Sequence, residues 1–506
     1  MSAIITEPSA VAPAAPSERR TRLAERLIPA FAVFAALATG VARPANTDIS
    51  WLLTVNERIL AGATPYKDIV ELNPPASILL YRIPVVVAHW LSIRAEIAVI
   101  AFLALLIGAA LAYARWALAR CEVGDANRIV FLVVAALILS VLPFDEMAQR
   151  EHFATVLALP YALAAIVRAT GKKPSLVESA LAGLAMGLCV AIKPHFAFGA
   201  LFVSGWAALR SRSLAAFVRT ENLAALAVAL GYLAASFAFF PYFFADVLPM
   251  VRDLYLPIRL GAGELIAHIA PPLILPLFLC WAFRDQQRSA GAQVLLLMAA
   301  GFLAAYFLQG KGWIYHAYPV LSFGFFAAAW ALPIGTKEAG RVSPKLGVAL
   351  LAAAMIIPAP SFFRRDEQHA ALAAAVAKLR PHPKLLALSF RQSLGHPLAR
   401  NIGAVWIGRS WGLWPTGLAV LMRERAGDDA AQRAKADGYF ERDRLATTED
   451  IEAQRPDVLL IEETPGFDFN AWIAGSPRLA AALERYRLVG TVDGVEILQR
   501  QDARQS

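Results

Sequence analysis

The sequence predicts an all-α polytopic membrane protein with a small α/β domain at its C-terminal end. Of its 506 residues, 58% are hydrophobic and only 17% are charged, whereas soluble domains average about 45–50% apolar and about 25% charged residues. Apolar stretches long enough to cross a bilayer recur between residues 27 and 361. After residue 361 the hydropathy falls and charges of both signs alternate. These observations argue against a soluble enzyme, a disordered scaffold and a nucleic-acid-binding protein.

Eleven apolar segments are predicted to span the membrane, because a spanning helix needs about 20 mostly apolar residues. In chain order they are 27–43, 96–114, 128–144, 153–169, 177–193, 195–210, 222–245, 265–283, 290–308, 314–333 and 345–361. They follow a cytoplasmic N-terminal tail over residues 1–26. The segment 75–90 is also apolar, but it contains Arg82 and His89, and we interpret it as an amphipathic helix in the outer interface.

Basic residues predict the orientation of these spans. Residues 1–361 hold 28 of the 48 basic residues and 20 of the 39 acidic ones. With the N-terminus in the cytoplasm, every loop on that side carries at least two basic residues, as the positive-inside rule requires. These loops are 115–128, 168–176, 210–221, 284–289 and 334–345. The extracytoplasmic loops are then 44–95, 145–152, 246–264 and 309–316. Arg far outnumbers Lys and Ala is abundant, which suggests a high-GC bacterial genome, so we expect the chain in a bacterial cytoplasmic (inner) membrane.

Residues 362–506 are predicted to form a periplasmic α/β domain. The expected elements are a helix over 366–379, buried strands over 384–390 and 457–462, and a hairpin over 486–498 that turns at Asp493-Gly494. Trp406, Trp411 and Trp414 cluster after one strand. Core packing or interfacial anchoring is the favoured interpretation of these tryptophans, and a sugar-stacking platform is the alternative.

Asp48 is the first candidate catalytic residue. It lies a few residues past the first predicted span, where partial desolvation at the interface would tune a carboxylate as a general base. The alternative is a helix N-cap, since Asp48 precedes a helix expected to run from Trp51 to Leu60. The same loop supplies three further polar candidates, which are Tyr66, Asp68 and Glu71.

The first loop resembles that of the GT-C glycosyltransferases, polytopic enzymes that use lipid-phosphate-linked sugars. Protein O-mannosyltransferases and lipid A aminoarabinose transferases belong to this group. The resemblance covers the layout of residues 1–361, and its core is a short tail, one span, Asp48 just beyond it, a helix ending in Gly62, the string Pro65-Tyr66-Lys67-Asp68 and the pair Pro74-Pro75. It implies that Asp48, the acid after the first span, is catalytic. Because Thr47 and Ile49 flank Asp48, the second acid that the family often places beside it must come from elsewhere.

The second outer loop places five ionisable side chains within eight residues. They are Asp145, Glu146, Arg150, Glu151 and His152. The resemblance implies a second functional acid in this loop, and Asp145 and Glu146 are the candidates, with Glu151 and His152 behind them. The alternative is a solvated loop cap, although so short a loop holds such groups at the membrane interface.

Three more cations are candidates for binding the donor phosphate together with Arg150. Lys193 lies between two apolar runs, where a buried lysine is costly and usually functional, although its side chain would alternatively snorkel to the interface. Lys311 and His316 lie among glycines and aromatic residues with Tyr315, where an aromatic belt is the alternative. A lysine is a compact charge suited to a phosphate.

These features predict a membrane glycosyltransferase that moves a sugar from a polyprenyl-phosphate-linked donor to an extracytoplasmic glycan, lipid or protein acceptor. Asp48 is expected to take the acceptor proton during an inverting displacement. Membrane lipids are expected partners, and nucleic acid is not. No metal signature stands out, and a divalent ion on a carboxylate pair is left open. The alternatives are a transporter or flippase, which needs polar residues at mid-bilayer and on both sides, and a scaffold that the spans merely anchor.

Overall fold

The computed structural model describes residues 16–42, 45–121, 123–283, 289–332, 343–356 and 369–501. It confirms the predicted fold class, an all-α polytopic membrane protein with a small C-terminal α/β domain. The helices of the first part are α1 (Pro16–Val41), α2 (Thr47–Leu60), α3 (Pro75–Leu91), α4 (Ala95–Arg120), α5 (Asp125–Ser140), α6 (Arg150–Ala169), α7 (Leu176–Ile192), α8 (Ala197–Ser211), α9 (Thr220–Phe239), α10 (Leu248–Met250), α11 (Ala262–Ala282), α12 (Ala290–Gln309), α13 (Ile314–Ala331) and α14 (Pro344–Ile356).

Each predicted span corresponds to a helix of this bundle. Six helical stretches are long and apolar enough to cross a membrane by length and composition, namely Arg20–Val41, Ala95–Arg120, Arg150–Ala169, Thr220–Phe239, Ala262–Ala282 and Ala290–Gln309. The remaining predicted spans form helices of 13 to 18 residues. Helix α1 begins at Pro16 rather than at residue 27, because its Arg and Glu residues favour a helix about as well as apolar residues do.

Helix α6 occupies the centre of the bundle. In its most apolar window 89% of the residues are buried, against 6% in α9, and α6 contacts α4, α7, α12 and α13. Because α6 begins at Arg150, its first turn places Arg150, Glu151 and His152 in the protein interior, each at most 3% exposed. A solvated loop cap over 145–152 is therefore wrong for these three residues.

The loops gather at two ends of the bundle. Helix α6 is 20 residues long and so spans about 30 Å. At one end Arg150 contacts Asp48, and at the other end Arg168 contacts Glu221. The two predicted sets of loops are thus separated by the length of a spanning helix, and which end faces the cytoplasm stays a prediction.

The first predicted loop, 44–95, is largely helical. Asn46 is the N-cap of α2, and its side chain accepts hydrogen bonds from the backbone N–H groups of Asp48 and Ile49. The N-cap interpretation of Asp48 is therefore wrong, and Asp48 lies in the first turn of α2, where a carboxylate is favoured by the helix dipole. Helix α3 covers the segment predicted as interfacial and packs against α2 and α4.

Two later segments also contain helix where loop was expected. The predicted outer loop 246–264 begins inside a helical stretch that includes α10 and π-helical turns at Phe243–Val247 and Val251–Tyr255. The predicted spans 177–193 and 195–210 are joined by a 3₁₀ turn at Pro194–Phe196.

The C-terminal domain is built on a five-stranded sheet with the order β2-β1-β3-β5-β4. Its strands are β1 (Lys384–Leu388), β2 (Val405–Trp406), β3 (Val458–Glu462), β4 (Tyr486–Val492) and β5 (Val495–Arg500). Strand β1 pairs in parallel with β2 and β3, and β5 runs antiparallel to β3 and β4. Its helices are α15 (Ala370–Leu379), α16 (Leu398–Asn401), α17 (Trp414–Ala426), α18 (Ala430–Gln454), α19 (Phe469–Ala474) and α20 (Pro477–Leu483).

The strands predicted from the sequence match this sheet. The hairpin turns at Asp493-Gly494 with φ values of 52° and 72°, which a glycine adopts at little cost. Strand β2 was not predicted, because two residues carry no alternation. Several predicted features lie outside the described residues: the tail before residue 16, the boundary at 361/362, the start of the helix over 366–379, and most of the basic loops 284–289 and 334–345.

Candidate active site

A cavity of about 820 Å³ lies between the helix bundle and the C-terminal domain. The bundle contributes residues from α2, from the segment after it, from the start of α6 and from the loops beside α11 and α12. The C-terminal domain contributes the opposite wall. The charged and amide side chains that line the bundle side are Asp48, Glu71, Asn73, Arg150, Arg259 and Lys311. The cavity therefore joins side chains that are more than 250 residues apart.

Asp48 and Arg150 form an ion pair at this cavity. The Arg150 Nη2 group donates to Asp48 Oδ2 at 3.0 Å, and Gln149 Nε2 donates to the same oxygen at 3.2 Å. The Asp48 side chain is 22% exposed, whereas that of Arg150 is 4% exposed. Asp48 is thus the accessible partner, and a reactant in the cavity meets its carboxylate while the arginine stays held in the interior.

Arg150 retains unused hydrogen-bonding capacity. Its Nε and Nη1 groups are buried and have no hydrogen-bond partner. Leaving a buried charged donor without a partner is costly, and a planar guanidinium matches a carboxylate or a phosphate in two-point contact. Arg150 also lies at the N-terminus of α6, where the helix dipole favours an anion. This part of the site is suited to an anionic ligand.

Glu71 is the second acid that lines the cavity. Trp51 Nε1 donates to Glu71 Oε2 at 2.6 Å, the backbone N–H of Asn73 donates to Glu71 Oε1 at 2.8 Å, and the Asn73 side chain also donates to it. Burial raises the pKa of Glu71, and Arg150 acts in the opposite direction. Trp51 lies on α2 one turn from Asp48. Through its hydrogen bond with Trp51, Glu71 connects the loop after α2 to the helix that carries Asp48.

A buried polar cluster lies directly behind Arg150. Lys193 Nζ donates to the carboxylate of Glu151 and to Gln309 Oε1 at 2.7 Å, and it lies 3.3 Å from His316 Nε2. Glu151 is fully buried, and His316 is 4% exposed. Glu151 Oε2, Gln309 Nε2, His316 Nδ1 and the nearby His195 Nε2 are buried without a partner. Lys193 therefore lies at the same end of the bundle as Asp48, as a single reaction centre requires.

Lys311 reaches the cavity from the loop between α12 and α13. Its Nζ donates to the backbone carbonyls of Tyr255 at 2.6 Å and Ile258 at 2.5 Å, and it lies 3.9 Å from the centre of the Tyr255 ring. Burial, together with the neighbouring positive charges of Arg259 and Arg425, lowers the pKa of Lys311 to about 8. Three cations thus share one rim of the cavity, which favours a negative ligand there.

The structure places the other predicted candidates away from the cavity. Asp145 is exposed and borders a separate small pocket, and Glu146 accepts a hydrogen bond from Asn46 at 2.8 Å. His152 is fully enclosed, with Nδ1 accepting from the N–H of Ala148 and Nε2 bonded to the carbonyl of Leu139.

Tyr66, Asp68 and Tyr315 complete the set of predicted residues. The buried Tyr66 hydroxyl donates to the carbonyl of Asn73 at 2.8 Å, and Asp68 is exposed and accepts from the N–H of Thr64. Both contacts shape the loop that holds Glu71. Tyr315 lies in the first turn of α13, within electrostatic reach of Asp48 and Arg150.

No protein-family model and no curated protein matches the chain. Its backbone does match that of ArnT from Cupriavidus metallidurans, solved bound to undecaprenyl phosphate, with a TM-score of 0.51 and 12% sequence identity over 96% of this chain and 98% of that one. The chain has a GT-C-like fold. The arabinofuranosyltransferase AftD from Mycobacteria also matches, with a TM-score of 0.45 and 15% identity over 96% of this chain. The chain spans about 40% of the length of AftD.

Several cavity residues of this GT-C-like fold were not identified from the sequence. They are Trp51, Asn73, Tyr255, Arg259, Gln392 and Arg425. Trp411 and Trp414, for which the sequence favours core packing or interfacial anchoring over a sugar-stacking platform, also line the cavity. Core packing fits Trp406, which is 3% exposed and donates to the Ser410 carbonyl, and the half-buried Trp411 also packs against the core. A sequence signal for Arg259 existed, since it lies in a predicted outer loop. Within the described ranges, no three His, Cys, Asp or Glu side chains converge as a metal site requires.

Proposed function

We propose that the chain is a membrane glycosyltransferase that transfers a sugar from a polyprenyl-phosphate-linked donor to an extracytoplasmic acceptor. The observation that carries this proposal is the cavity in which an accessible carboxylate, Asp48, faces a buried guanidinium with two unused donors, Arg150. One group is suited to accept a proton and the other to bind a phosphate. The match to ArnT, which was solved with undecaprenyl phosphate, supports the same donor class.

The proposed reaction is a single inverting displacement. The acceptor hydroxyl oxygen attacks the anomeric carbon and forms the new glycosidic bond, while its proton passes to the Asp48 carboxylate. The bond between the anomeric carbon and the phosphate oxygen breaks, and polyprenyl phosphate leaves with the electron pair. General-base catalysis of this kind contributes about 10²- to 10⁴-fold to a rate.

The leaving phosphate needs positive charge, because negative charge develops on its oxygen in the transition state. Arg150 offers its unpaired Nε and Nη1 groups, and Lys311 and Arg259 line the same cavity. Since Arg150 also holds Asp48, one guanidinium would bridge the donor and the base and fix their relative positions. Lys193 and His316 act in this scheme from the buried polar cluster, by holding Glu151 beside Arg150.

The location follows from the positive-inside argument. We place the cavity and the C-terminal domain on the periplasmic side of a bacterial inner membrane, with the N-terminus in the cytoplasm. A lipid-linked donor then has its polyprenyl chain in the bilayer and its phosphate at the level of Arg150. The same placement brings an extracytoplasmic acceptor to the cavity from the aqueous side.

The test is a complementation experiment in a strain that lacks the gene. We expect that strain to accumulate a lipid-phosphate-linked sugar, detected by mass spectrometry of extracted lipids, and the wild-type chain to clear it. Asp48→Asn should leave the sugar lipid uncleared, with a transfer rate reduced at least about 100-fold. The matched control is Asp125→Asn, an aspartate in the first turn of α5 at the other end of the bundle. Full clearance by Asp48→Asn, at equal membrane content, would refute the assignment of the base.

A further inference from the structure

The C-terminal domain presents an aromatic wall to the cavity. This wall consists of Phe390, Trp411, Trp414 and Phe467, all of which line the cavity from the C-terminal domain. Phe390 packs against Phe467 with ring centres 4.8 Å apart. Trp411 is only half-buried, so part of its indole surface remains open to the cavity.

Polar groups are interspersed with these rings. Gln392, Glu424 and Thr464 line the same side of the cavity. The Trp414 Nε1 and Thr464 Oγ1 groups are buried and have no hydrogen-bond partner. Only 4% of Trp414 is exposed. Buried donors of this kind usually find a partner, and here the cavity is the space from which a partner can come.

The segment that carries Trp411 is held firmly. Arg409 pairs with Asp450 at 2.8 Å, and the N–H of Leu413 donates to the carbonyl of Ser389 at 2.9 Å. The carbonyl of Arg409 accepts from the N–H of Val70, in the loop that leads to Glu71. The aromatic wall is therefore fixed relative to the bundle side of the cavity, as a preformed binding site requires.

We infer that the aromatic wall is the acceptor subsite and that the acceptor is a carbohydrate. The inference rests on the proposed transferase function and names the acceptor class for it. A sugar ring has an apolar face that packs on an indole and a rim of hydroxyl groups that hydrogen-bond. The wall offers both, with Trp411 for the face and Gln392, Thr464 and Trp414 Nε1 for the hydroxyls. One acceptor hydroxyl then extends across the cavity toward Asp48.

A peptide or a lipid acceptor fits these groups less well. An acyl chain has no polar groups that could form hydrogen bonds with the amide, hydroxyl and carboxylate groups of Gln392, Thr464 and Glu424. A peptide that binds as an added strand would need a free strand edge, and the part of the wall seen here is made of loop and of helix α17 instead.

The test is photo-crosslinking to the full chain in lipid nanodiscs. The probes are diazirine-tagged trisaccharides of mannose, galactose, glucose and arabinose, with a tagged Ser/Thr peptide and a tagged fatty acid for comparison. We expect a trisaccharide to label the peptide that contains residues 407–421 and an untagged sugar to compete. Trp411→Ala should raise the apparent Kd about 3- to 10-fold, Trp411→Phe should raise it less, and the exposed Trp90→Ala should leave it unchanged.

The outcomes separate this inference from the transferase proposal. Asp48→Asn should bind the trisaccharide normally, so loss of transfer with retained sugar binding supports both proposals. Labelling of 407–421 by the Ser/Thr peptide or the fatty acid, without any by a sugar, would overturn the carbohydrate subsite. An unchanged Kd for Trp411→Ala would also overturn the carbohydrate subsite. Trp411→Phe is the control that shows that the fold is intact. If the wild-type chain binds the sugar but never transfers a sugar to it, only the transferase proposal is refuted.

Discussion

Glu146 is an acid close to the cavity whose pKa is raised in the folded chain. It is half-buried, accepts a hydrogen bond from Asn46, and lies near three other carboxylates. Burial, together with the negative charges of Asp48, Glu151 and Asp145, raises its pKa from 4.5 to about 7. Hydrogen bonds through Asn46 and Gln149 connect Glu146 to Asp48. The charge of Glu146 therefore acts electrostatically on the proposed base.

The raised pKa has a consequence for stability. The folded chain binds this proton more tightly than the unfolded chain, so Glu146 lowers the free energy of unfolding as the pH rises from 4.5 to about 7. Glu146→Gln, which cannot ionise, should therefore melt at a higher temperature than the wild type at pH 8 and at the same temperature near pH 4.5. Thermal melts in nanodiscs across this range measure the difference. A gap that widens toward low pH would contradict the assignment.

Glu71 and Asp145 border different cavities. Both are acids of predicted outer loops, but only Glu71 lines the cavity with Asp48, and Asp145 borders a separate pocket. Glu71 is 1% exposed and has three donors. We therefore regard it as the acid that positions α2, while a catalytic role for Asp145 or Glu146 stays a prediction.

At the scale of the element, the first turn of α6 organises the site. It places Arg150 against Asp48 and Glu151 against Lys193, so one turn serves both the cavity and the buried polar cluster. An interior helix with a charged first turn is stable only if each charge has a partner. Lys193, at the end of α7, supplies that partner for Glu151.

Breaking this buried pair should be costly. Lys193→Met leaves the carboxylate of Glu151 without its counter-charge, and we expect a loss of about 3–5 kcal/mol in the free energy of unfolding. The double variant Lys193→Met with Glu151→Leu removes both charges and should recover much of that loss. Denaturant titration in a mild detergent, followed by tryptophan fluorescence, compares the three chains. Equal stability of the single variant and the wild type would show that the pair is not structural.

At the scale of the whole molecule, ion pairs attach the C-terminal domain to the bundle on two sides of the cavity. Arg400 donates to Glu57 at 2.6 and 2.9 Å and to Glu96 at 2.7 Å. On the other side Asp253 contacts Lys435 at 2.7 Å and accepts from the Tyr439 hydroxyl at 2.7 Å. These contacts fix the aromatic wall opposite Asp48.

Arg400→Met should loosen this attachment. The arginine side chain is 11% exposed, and truncating one partner of a largely buried ionic contact costs about 2–5 kcal/mol. We expect faster proteolysis and faster hydrogen exchange in residues 405–421, together with slower sugar transfer. Arg478→Met is the control, because its contact with Glu452 is exposed and lies within the C-terminal domain, where such pairs contribute about 0–1 kcal/mol. Equal protection in both variants would contradict a role for Arg400 in docking.

Sequence alone determined the features that depend on local composition. The eleven helices, the strands β1 and β3 and the hairpin at Asp493-Gly494 follow from hydropathy, alternation and turn chemistry, which act over fewer than about 20 residues. Asp48 was also identifiable, because it lies only a few residues after the first span and within a short sequence motif. Orientation and the domain boundary at 361/362 remain expectations of the same kind.

Only the tertiary structure decided which side chains share the cavity. The N-cap of α2 is Asn46 rather than Asp48, Lys193 binds Glu151, and Trp411 comes within one cavity of Asp48 although 363 residues separate them. Such contacts depend on how helices rotate and pack against one another. A pattern of residues along the chain does not specify that rotation, because the same apolar helix can be buried on any of its faces.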